Sequence, residues 1–256
     1  METPTRRPRV LVTGGTGAIG SETCRLLAGS GHDIAFTYRS NAKSAQLLAA
    51  QLRDETGRPV ESRAVDLSDT DAAMRCVEEL TTALGGLDAV VHASGPLIPQ
   101  RYLTDIDADL FRRHVDDEYV AFFNLAKAAL PHLRASRGSL VAVTTVAVRQ
   151  YPVRDCLSAS PKAAVEALVK AIAAEEGRYG VRANCVGPGI LEEGIGGAII
   201  DNGDFSEQAQ EFALKRVPLR RFGRARDVAE AVAFLASSRA RYITGQCLDV
   251  DGGFSV

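Results

Sequence analysis

Between Val10 and Gly20 an apolar run passes into a turn containing Gly14, Gly15, Gly17 and Gly20, and an amphipathic segment follows over residues 21–30. Glycines at such positions let a backbone turn sharply and approach a pyrophosphate, and the last of them lets a helix pack closely on the strand before it. The N–H groups and positive dipole at the helix start then face anionic oxygens. This is the chemistry of holding a dinucleotide. The spacing Gly15-x-Gly17-x-x-Gly20 gains its meaning from the strand before it and the helix after it. Two further stretches bear on which dinucleotide. The tip of the second strand reads Thr37-Tyr38-Arg39-Ser40-Asn41, with no carboxylate to accept from a ribose 2′-hydroxyl. Arg39 there favours a 2′-phosphate, hence NADP(H), with Ser40 as a further donor. Asp66-Leu67, closing the third strand, sets a carboxylate where it could accept from the adenine amino group.

Such a site needs a parallel sheet to position it, and strand patterns alternate with helical ones along the whole chain. Residues 32–38 read as the second strand and 41–56 as the second helix, with Ala45, Leu47, Leu48 and Leu52 on helical spacing. A third strand covers 60–66, and Ser68-Asp69 caps a helix running to about Leu84. Residues 87–93 form a short buried strand ended by Ser94-Gly95-Pro96, 107–133 a long helical segment, and 138–145 a fifth strand. A second long helix covers 158–179, a sixth strand 181–186, a helix 225–237 and a last strand 244–251. The connection 190–217 is too long for an ordinary loop and too apolar for a disordered one, which predicts a substrate lid.

With 256 residues, 46% of them hydrophobic and 24% charged, the chain reads as one soluble domain over 1–256. The net charge of −2 and a pI of about 6.1 give no electrostatic reason to expect nucleic acid or an anionic membrane as partner. Arg6, Arg7 and Arg9 are followed by no signal-peptide core, so the first nine residues read as a short frayed tail. No apolar run approaches membrane-spanning length. Cys24, Cys76, Cys156, Cys185 and Cys247 are odd in number and scattered, which suggests neither a disulfide framework nor a metal site and makes a reducing cytoplasm the expected compartment.

Over essentially its whole length the chain resembles the short-chain dehydrogenase/reductase family. The stretches that carry the resemblance are Thr13-Gly14-x-x-x-Ala18-Ile19-Gly20, Asp66-Leu67, Gly86-Leu87-Asp88, Ala129-Leu130-Pro131, Lys162-Ala163-Ala164-Val165, Arg182-Ala183-Asn184-x-Val186-x-Pro188-Gly189, and Thr244-Gly245-Gln246 through Asp251-Gly252-Gly253. The Tyr38-Arg39-Ser40 tip is most similar to the NADPH-dependent ketoacyl-reductase branch, while Gly14-x-x-Gly17-x-x-Gly20 also suits the extended branch. The resemblance implies a single Rossmann-like, doubly wound parallel sheet of about seven strands with helices on both faces. It implies a nicotinamide cofactor seated on Thr16, Ala18 and Ile19 in the first turn, on Ala93, Ser94 and Gly95 after the fourth strand, on Lys162, and on Pro188, Gly189 and Ile190 after the sixth. A homotetramer, or a dimer, built from the two long helices is implied as well, with the last strand in a second interface.

Family members usually reduce a carbonyl with a tyrosine and lysine in a Y-x-x-x-K pattern, a serine, and an asparagine on the preceding long helix. Carried over residue by residue, Lys162 fits the lysine, but the tyrosine position holds Ser158. The serine position holds Thr145, or Thr144 if the strand shifts by one, and the asparagine position holds Glu118. His92-Ala93-Ser94-Gly95 replaces the usual N-N-A-G, and Glu193 falls near a threonine that commonly helps seat the nicotinamide. The enoyl-reductase branch places its tyrosine seven residues before the lysine, where this chain has Asp155; Tyr151 lies eleven before it, in the loop after the fifth strand.

Ser158 cannot serve as the acid near neutral pH, since a serine hydroxyl holds its proton too tightly and is shorter than tyrosine by a ring. Glu118 could pair with Lys162, or take up a proton and act as acid or base, and Thr145 retains a hydrogen-bond donor for a developing oxyanion. Three readings stand. One is an NADPH-dependent ketone or enone reductase whose proton comes from Tyr151, Asp155, Glu118, water or the substrate. Another is a non-redox isomerase, cyclase or dehydratase, and the third is an NADP(H)-binding protein without turnover. Apolar residues in the lid, at Ile190, Leu191, Ile195–Ile200 and Phe205, point to an apolar small-molecule substrate, polycyclic or acyl.

Overall fold

The computed structural model describes residues 6–203 and 205–256. Met1–Thr5, and the side chains of Ile200 and Asp201, lie outside the described residues. Seven strands, β1 (Arg9–Thr13), β2 (Asp33–Tyr38), β3 (Val60–Ala64), β4 (Ala89–His92), β5 (Ser139–Val143), β6 (Arg182–Pro188) and β7 (Cys247–Val250), form one parallel sheet in the order β3-β2-β1-β4-β5-β6-β7. The nine helices among the described residues are α1 (Ala18–Gly29), α2 (Ala42–Thr56), α3 (Thr70–Leu84), α4 (Ala108–Val115), α5 (Ala121–Ser136), α6 (Cys156–Glu176), α7 (Gly194–Asp201), α8 (Glu207–Arg216) and α9 (Ala225–Ala236).

Alternation along the strands explains the two-sided core. In β1, Val10 and Val12 point into the apolar layer shared with Leu27 of α1, Leu52 of α2 and Val232 of α9. Leu11 between them points into the opposite layer, with Leu80 of α3, Leu125 of α5 and Val169 of α6. A strand buried on both faces reads as an unbroken apolar run, and a side chain such as Leu11 contributes roughly 1.5–3 kcal/mol through removal from water. The order of connection reverses between β1 and β4, so a crevice opens beyond the carboxyl ends of those strands.

Several element ends differ from the sequence expectation. β3 stops at Ala64 because Asp66 turns back and its Oδ1 accepts from the Ser68 N–H and hydroxyl, at 3.0 and 2.7 Å. β7 begins at Cys247, since Gly245 adopts a φ of 71° and the Thr244 hydroxyl accepts from Ala183 N at 3.1 Å instead of extending the strand. Arg9 is not part of a frayed tail: it opens β1, is buried, and its Nε donates to Asp88 at 2.9 Å, with Arg6 on the same carboxylate at 2.6 Å. The predicted helix over 107–133 is broken by a π-helical turn, Asp116–Val120, between α4 and α5. Asp69 caps α3, accepting from Ala72 N at 2.9 Å. The stretch 190–217 contains α7 and α8, and is tied down at its start by bridge pairing of Leu191 with Gly223.

Candidate active site

A cavity of about 760 Å³ runs along the carboxyl ends of the strands, from Arg39 and Asp66 at one end to Ser158 and Lys162 at the other. Its floor is the glycine turn. Gly14 has φ +66°, and a Cβ there would sit 2.6 Å from the Ala93 carbonyl oxygen, so the tips of β1 and β4 approach as closely as glycine allows. Gly20 does not face the cavity: its missing Cβ admits the Gly14 carbonyl, which is the close packing expected of the last glycine. Gly17 is the N-cap of α1 and supplies no capping side chain. With Thr16, Ala18 and Ile19 it forms a wall in which the first turn of a helix addresses the cavity with backbone N–H groups.

At one end Arg39 and Ser40 line the cavity, and Arg39 Nη1 is held 2.8 Å from Asp117 Oδ2 of the π-helical turn. Asp117 was not singled out by sequence reasoning, where it is hidden in the acidic run Asp116-Asp117-Glu118. The Ser68 hydroxyl and N–H hold the Asp66 carboxyl below its usual range, keeping it an anionic acceptor. The adjoining backbone is fixed by buried Asn124, whose Nδ2 donates to the Leu67 carbonyl at 2.9 Å.

At the other end, α6 presents Asp155 at its N-cap, then Ser158 and Lys162 one and two turns along, all three lining the cavity. Lys162 Nζ donates to Glu118 Oε2 at 2.6 Å, and both side chains are buried. Glu118 stands behind Gly95 and does not line the cavity; a Cβ on Gly95 would meet Glu118 Oε2 at 2.9 Å. Glu118 Oε1 has no hydrogen-bond partner, nor have His92 Nε2 and His114 Nδ1. Burial, and then the Lys162 charge, pull the His92 value down to about 3, so this imidazole is neutral; its Nδ1 lies 3.1 Å from Thr13 Oγ1. Burial also lowers the His114 value.

Thr145 lines the cavity, and its Oγ1 accepts from Ala147 N at 3.2 Å, which leaves the hydroxyl proton free to donate. Thr144 also lines the cavity, but its hydroxyl donates to Glu166 Oε1 at 2.9 Å. Asp155 has Gln100 Nε2 3.4 Å from its Oδ1, and burial raises its carboxyl above the ordinary value against the opposing effects of Gln100, Lys162 and Ser158. Tyr151 corrects the sequence expectation. It is exposed, lies outside the cavity wall, and faces Cys156 and Ser160 on the outer side of α6. Arg149 and Gln150 precede it within one short helical turn and its end, which carries the ring outward.

Pro188, Gly189 and Ile190 continue the wall beyond β6, with Ser94 and Gly95 opposite. Leu97, Ile98, Pro152, Ile195, Ile199 and Phe205 make the remainder predominantly apolar. Leu97, Ile98, Pro152 and the near-terminal Phe254 were missed in the sequence, where isolated apolar residues in loops carry no periodic signal. Glu193 borders the cavity, but its carboxylate accepts from Ala225 N at 2.8 Å and so caps α9.

A family model described as Enoyl-(Acyl carrier protein) reductase matches residues 15–255. The chain is 29% identical over 246 residues to the 3-oxoacyl-(acyl-carrier-protein) reductase of Chlamydia muridarum, covering 96% of each chain. It is 30% identical over 246 residues to the peroxisomal 2,4-dienoyl-CoA reductase of Saccharomyces cerevisiae, covering 94% of this chain and 82% of that one. Among solved structures, a short chain dehydrogenase from Burkholderia cenocepacia J2315 in complex with NADP superposes with a TM-score of 0.88 at 30% identity, covering 97% and 98% of the two chains. No helix among the described residues is long and apolar enough to cross a membrane.

Proposed function

The chain belongs to the short-chain dehydrogenase/reductase family of oxidoreductases, and from that premise we propose that it is an NADPH-dependent reductase of an apolar ketone or enone in which Asp155, through Ser158, takes the part usually played by a tyrosine. The observation that carries this reading is the carboxyl of Asp155, raised by burial, on the wall of the same cavity as Ser158, Thr145 and Lys162. A carboxyl whose proton is held more firmly by burial is still a far stronger acid than a serine hydroxyl, and it can supply a proton where a serine alone cannot.

The residues present fit the cofactor. The glycine cradle leaves room for a backbone approach to a pyrophosphate, Arg39 and Ser40 stand where a 2′-phosphate would be read, and Asp66 offers a carboxylate to an adenine amino group. When bound, NADPH supplies the hydride. Lys162, its ammonium held by Glu118, would donate to the hydroxyls of the nicotinamide ribose. Thr145 donates to the oxygen on which negative charge grows, a contribution of about 2–4 kcal/mol for a well-placed donor. Ser158 lies one turn from Asp155 and passes its own proton to that oxygen as it takes one from Asp155. Glu118 is kept from the substrate by Gly95, so its part is to position Lys162. The NADP of the Burkholderia structure and the enone-type and ketoacyl substrates in the names of the two curated relatives support the cofactor and substrate class.

A second reading, an isomerase or dehydratase, rests on the same buried carboxyl in an apolar cavity, which can move protons without a hydride. We further assign residues 190–217 as a substrate lid and a homotetramer or dimer as the assembled form, supported by the exposed Phe123 and the shallow groove between α5 and α6; cytoplasm remains the expected compartment.

The test is a calorimetric titration with NADPH and NADH, followed by a screen of aromatic ketones and enones for NADPH oxidation. Preferential NADPH binding, weakened about 10–100-fold in Arg39→Ala, is expected for loss of a charge-assisted phosphate contact. Failure of both nucleotides to bind refutes the reductase, and substrate conversion without NADPH oxidation establishes the second reading instead.

A further inference from the structure

Two cysteines that are 62 positions apart in the chain are brought face to face by the sheet. Cys185 of β6 and Cys247 of β7 are register partners, and both belong to the side of the sheet covered by α6. Neighbouring strands lie about 4.8 Å apart, within the Cα separation of roughly 4.4–6.8 Å that a disulfide spans. The neighbouring Cys247 thiol, together with burial, holds the Cys185 proton far more tightly than usual. Cys247 is half-buried and Cys185 fully buried, so the first can meet a small solute and the second cannot.

The surroundings of Cys247 are built. Arg149 Nη2 donates to its Sγ at 3.1 Å, and the guanidinium is fixed from three directions: Nη1 and Nη2 reach Glu166 at 2.9 and 3.1 Å, and Nε reaches Asp249 at 2.6 Å. Cys247 Sγ also lies 3.5 Å from Glu166 Oε1 and 3.8 Å from Thr144 Oγ1. A guanidinium N–H directed at sulfur stabilises negative charge developing there during nucleophilic attack. Neither cysteine, Arg149 nor Glu166 lines the cofactor cavity, so the proposed reductase chemistry does not use this array.

We propose that Cys247 and Cys185 are a peroxide-responsive thiol pair that closes reversibly to a disulfide. Cys247 sulfur, giving up its proton, attacks one oxygen of a hydroperoxide; the O–O bond breaks, leaving Cys247 sulfenic acid and releasing water or an alcohol. Cys185 sulfur then displaces the hydroxyl: the S–O bond breaks, the S–S bond forms, and the hydroxyl departs as water with the Cys185 proton. Two thiols lose two electrons, which the hydroperoxide gains, and a dithiol reductant reverses the change. Closure removes the Cys247 thiol from Arg149. Because Arg149 also donates to the Thr145 carbonyl at 3.3 Å, the change is felt one residue from the hydroxyl assigned to the oxyanion. Cys24 and Cys76 are poor competitors, since burial pushes them up to about 12 and about 11; Cys156, half-buried beside Ser160, is the competing thiol.

The full chain, first reduced, is exposed to hydrogen peroxide, its free thiols are alkylated, and non-reduced peptides are analysed by mass spectrometry while circular dichroism follows the fold. The expected product is a linked pair of peptides carrying Cys185 and Cys247, abolished by dithiothreitol. In Cys185→Ser, dimedone is expected to trap sulfenic acid at Cys247 at least about tenfold faster than at Cys156. Alkylation of both Cys185 and Cys247 after a dose that oxidises Cys156, or sulfinic acid at Cys247 with no linked peptide in the wild-type chain, overturns the proposal. The readout is a covalent bond and needs neither cofactor nor substrate, so it stands apart from any failure of the reductase assay.

Discussion

The pair Lys162–Glu118 is the sharpest place to test the physical account of the site. Its atoms are 2.6 Å apart, and the side chains are 10% and 2% exposed, so neither charge is screened by water. Removing one member of a buried ion pair costs about 3–5 kcal/mol, because the other charge is left in a low-dielectric setting without compensation. Glu118→Leu and Lys162→Met should each show a loss of that order. Glu118→Gln, which keeps an acceptor oxygen, should fall lower, at about 2 kcal/mol. Replacing both charges with apolar groups removes the desolvation cost along with the attraction, and the double variant should return to within about 1 kcal/mol of wild type. The coupling between the two positions is then at least about 5 kcal/mol. Urea unfolding of the four proteins at pH 7 measures it, and in a domain of this size 1 kcal/mol also moves Tm by about 2–4 °C. Additive losses, or single losses under about 1 kcal/mol, would refute the reasoning, for they would mean that water or another group already compensates the partner charge. NADPH affinity should fall in both lysine variants and be restored in neither, which separates stability from ribose recognition.

Three other outcomes follow from the geometry. Burial raises the Asp155 carboxyl, so the fraction able to donate a proton declines as pH rises through that elevated value; turnover should decline over the same window, and Asp155→Asn should lose the limb and about 10²–10⁴ in kcat. His92 is held at about 3 against 6.5 when unfolded, so its contribution to stability is complete above pH 6.5 and is lost as pH falls. Relative to His92→Asn, the wild-type chain should lose about 2 kcal/mol between pH 7.5 and pH 5 in urea titrations, and an unchanged difference would mean that the imidazole is protonated in the fold. The glycines should separate by role. Gly17→Ala, whose Cβ meets only the Gly14 carbonyl at 3.2 Å, should keep its Tm and lose nucleotide binding, whereas Gly20→Ala drives a methyl into that carbonyl and should lose about 1–3 kcal/mol of stability as well. Thermal unfolding with and without NADPH distinguishes the two.

The sheet and the glycine turn were legible in the sequence because their signals are local. β1 is a continuous apolar run, the glycines follow at once, and Arg39 is at the end of its strand, so spacing alone orders them. The chemical end depended on pairings between distant segments. Lys162 could be placed by its surroundings on α6, but whether Glu118 faced water or Lys162 depended on a π-helical turn that no 3.6-residue periodicity announces. Tyr151 illustrates the reverse error: an aromatic close in sequence to the site was carried outward by the turn Val146–Val148. Asp155 was visible only by its spacing from Lys162; its carboxyl is raised by burial, against the opposing hydrogen bond from Gln100 on a distant loop. The scattered cysteines gave no pairing signal at all, because parallel register is set by the whole sheet and not by distance along the chain.

The π-helical turn Asp116–Val120 gives one continuous rod two independent rotational settings. α5 beyond it is locked by Phe122, Leu125 and Ala129 in the central layer, so its phase is fixed by the core. Each residue of a helix advances the phase by about 100°, and the wider turn absorbs an additional residue, letting Asp117 reach toward Arg39 while its neighbour Glu118 points inward to Lys162. A single-residue deletion inside the turn would be taken up there, leaving α5 seated and swinging the two acidic side chains to new bearings. The sheet therefore serves as a chassis, and the identity of the acidic groups paired with Arg39 and Lys162 can be re-indexed by the length of one turn without repacking the core.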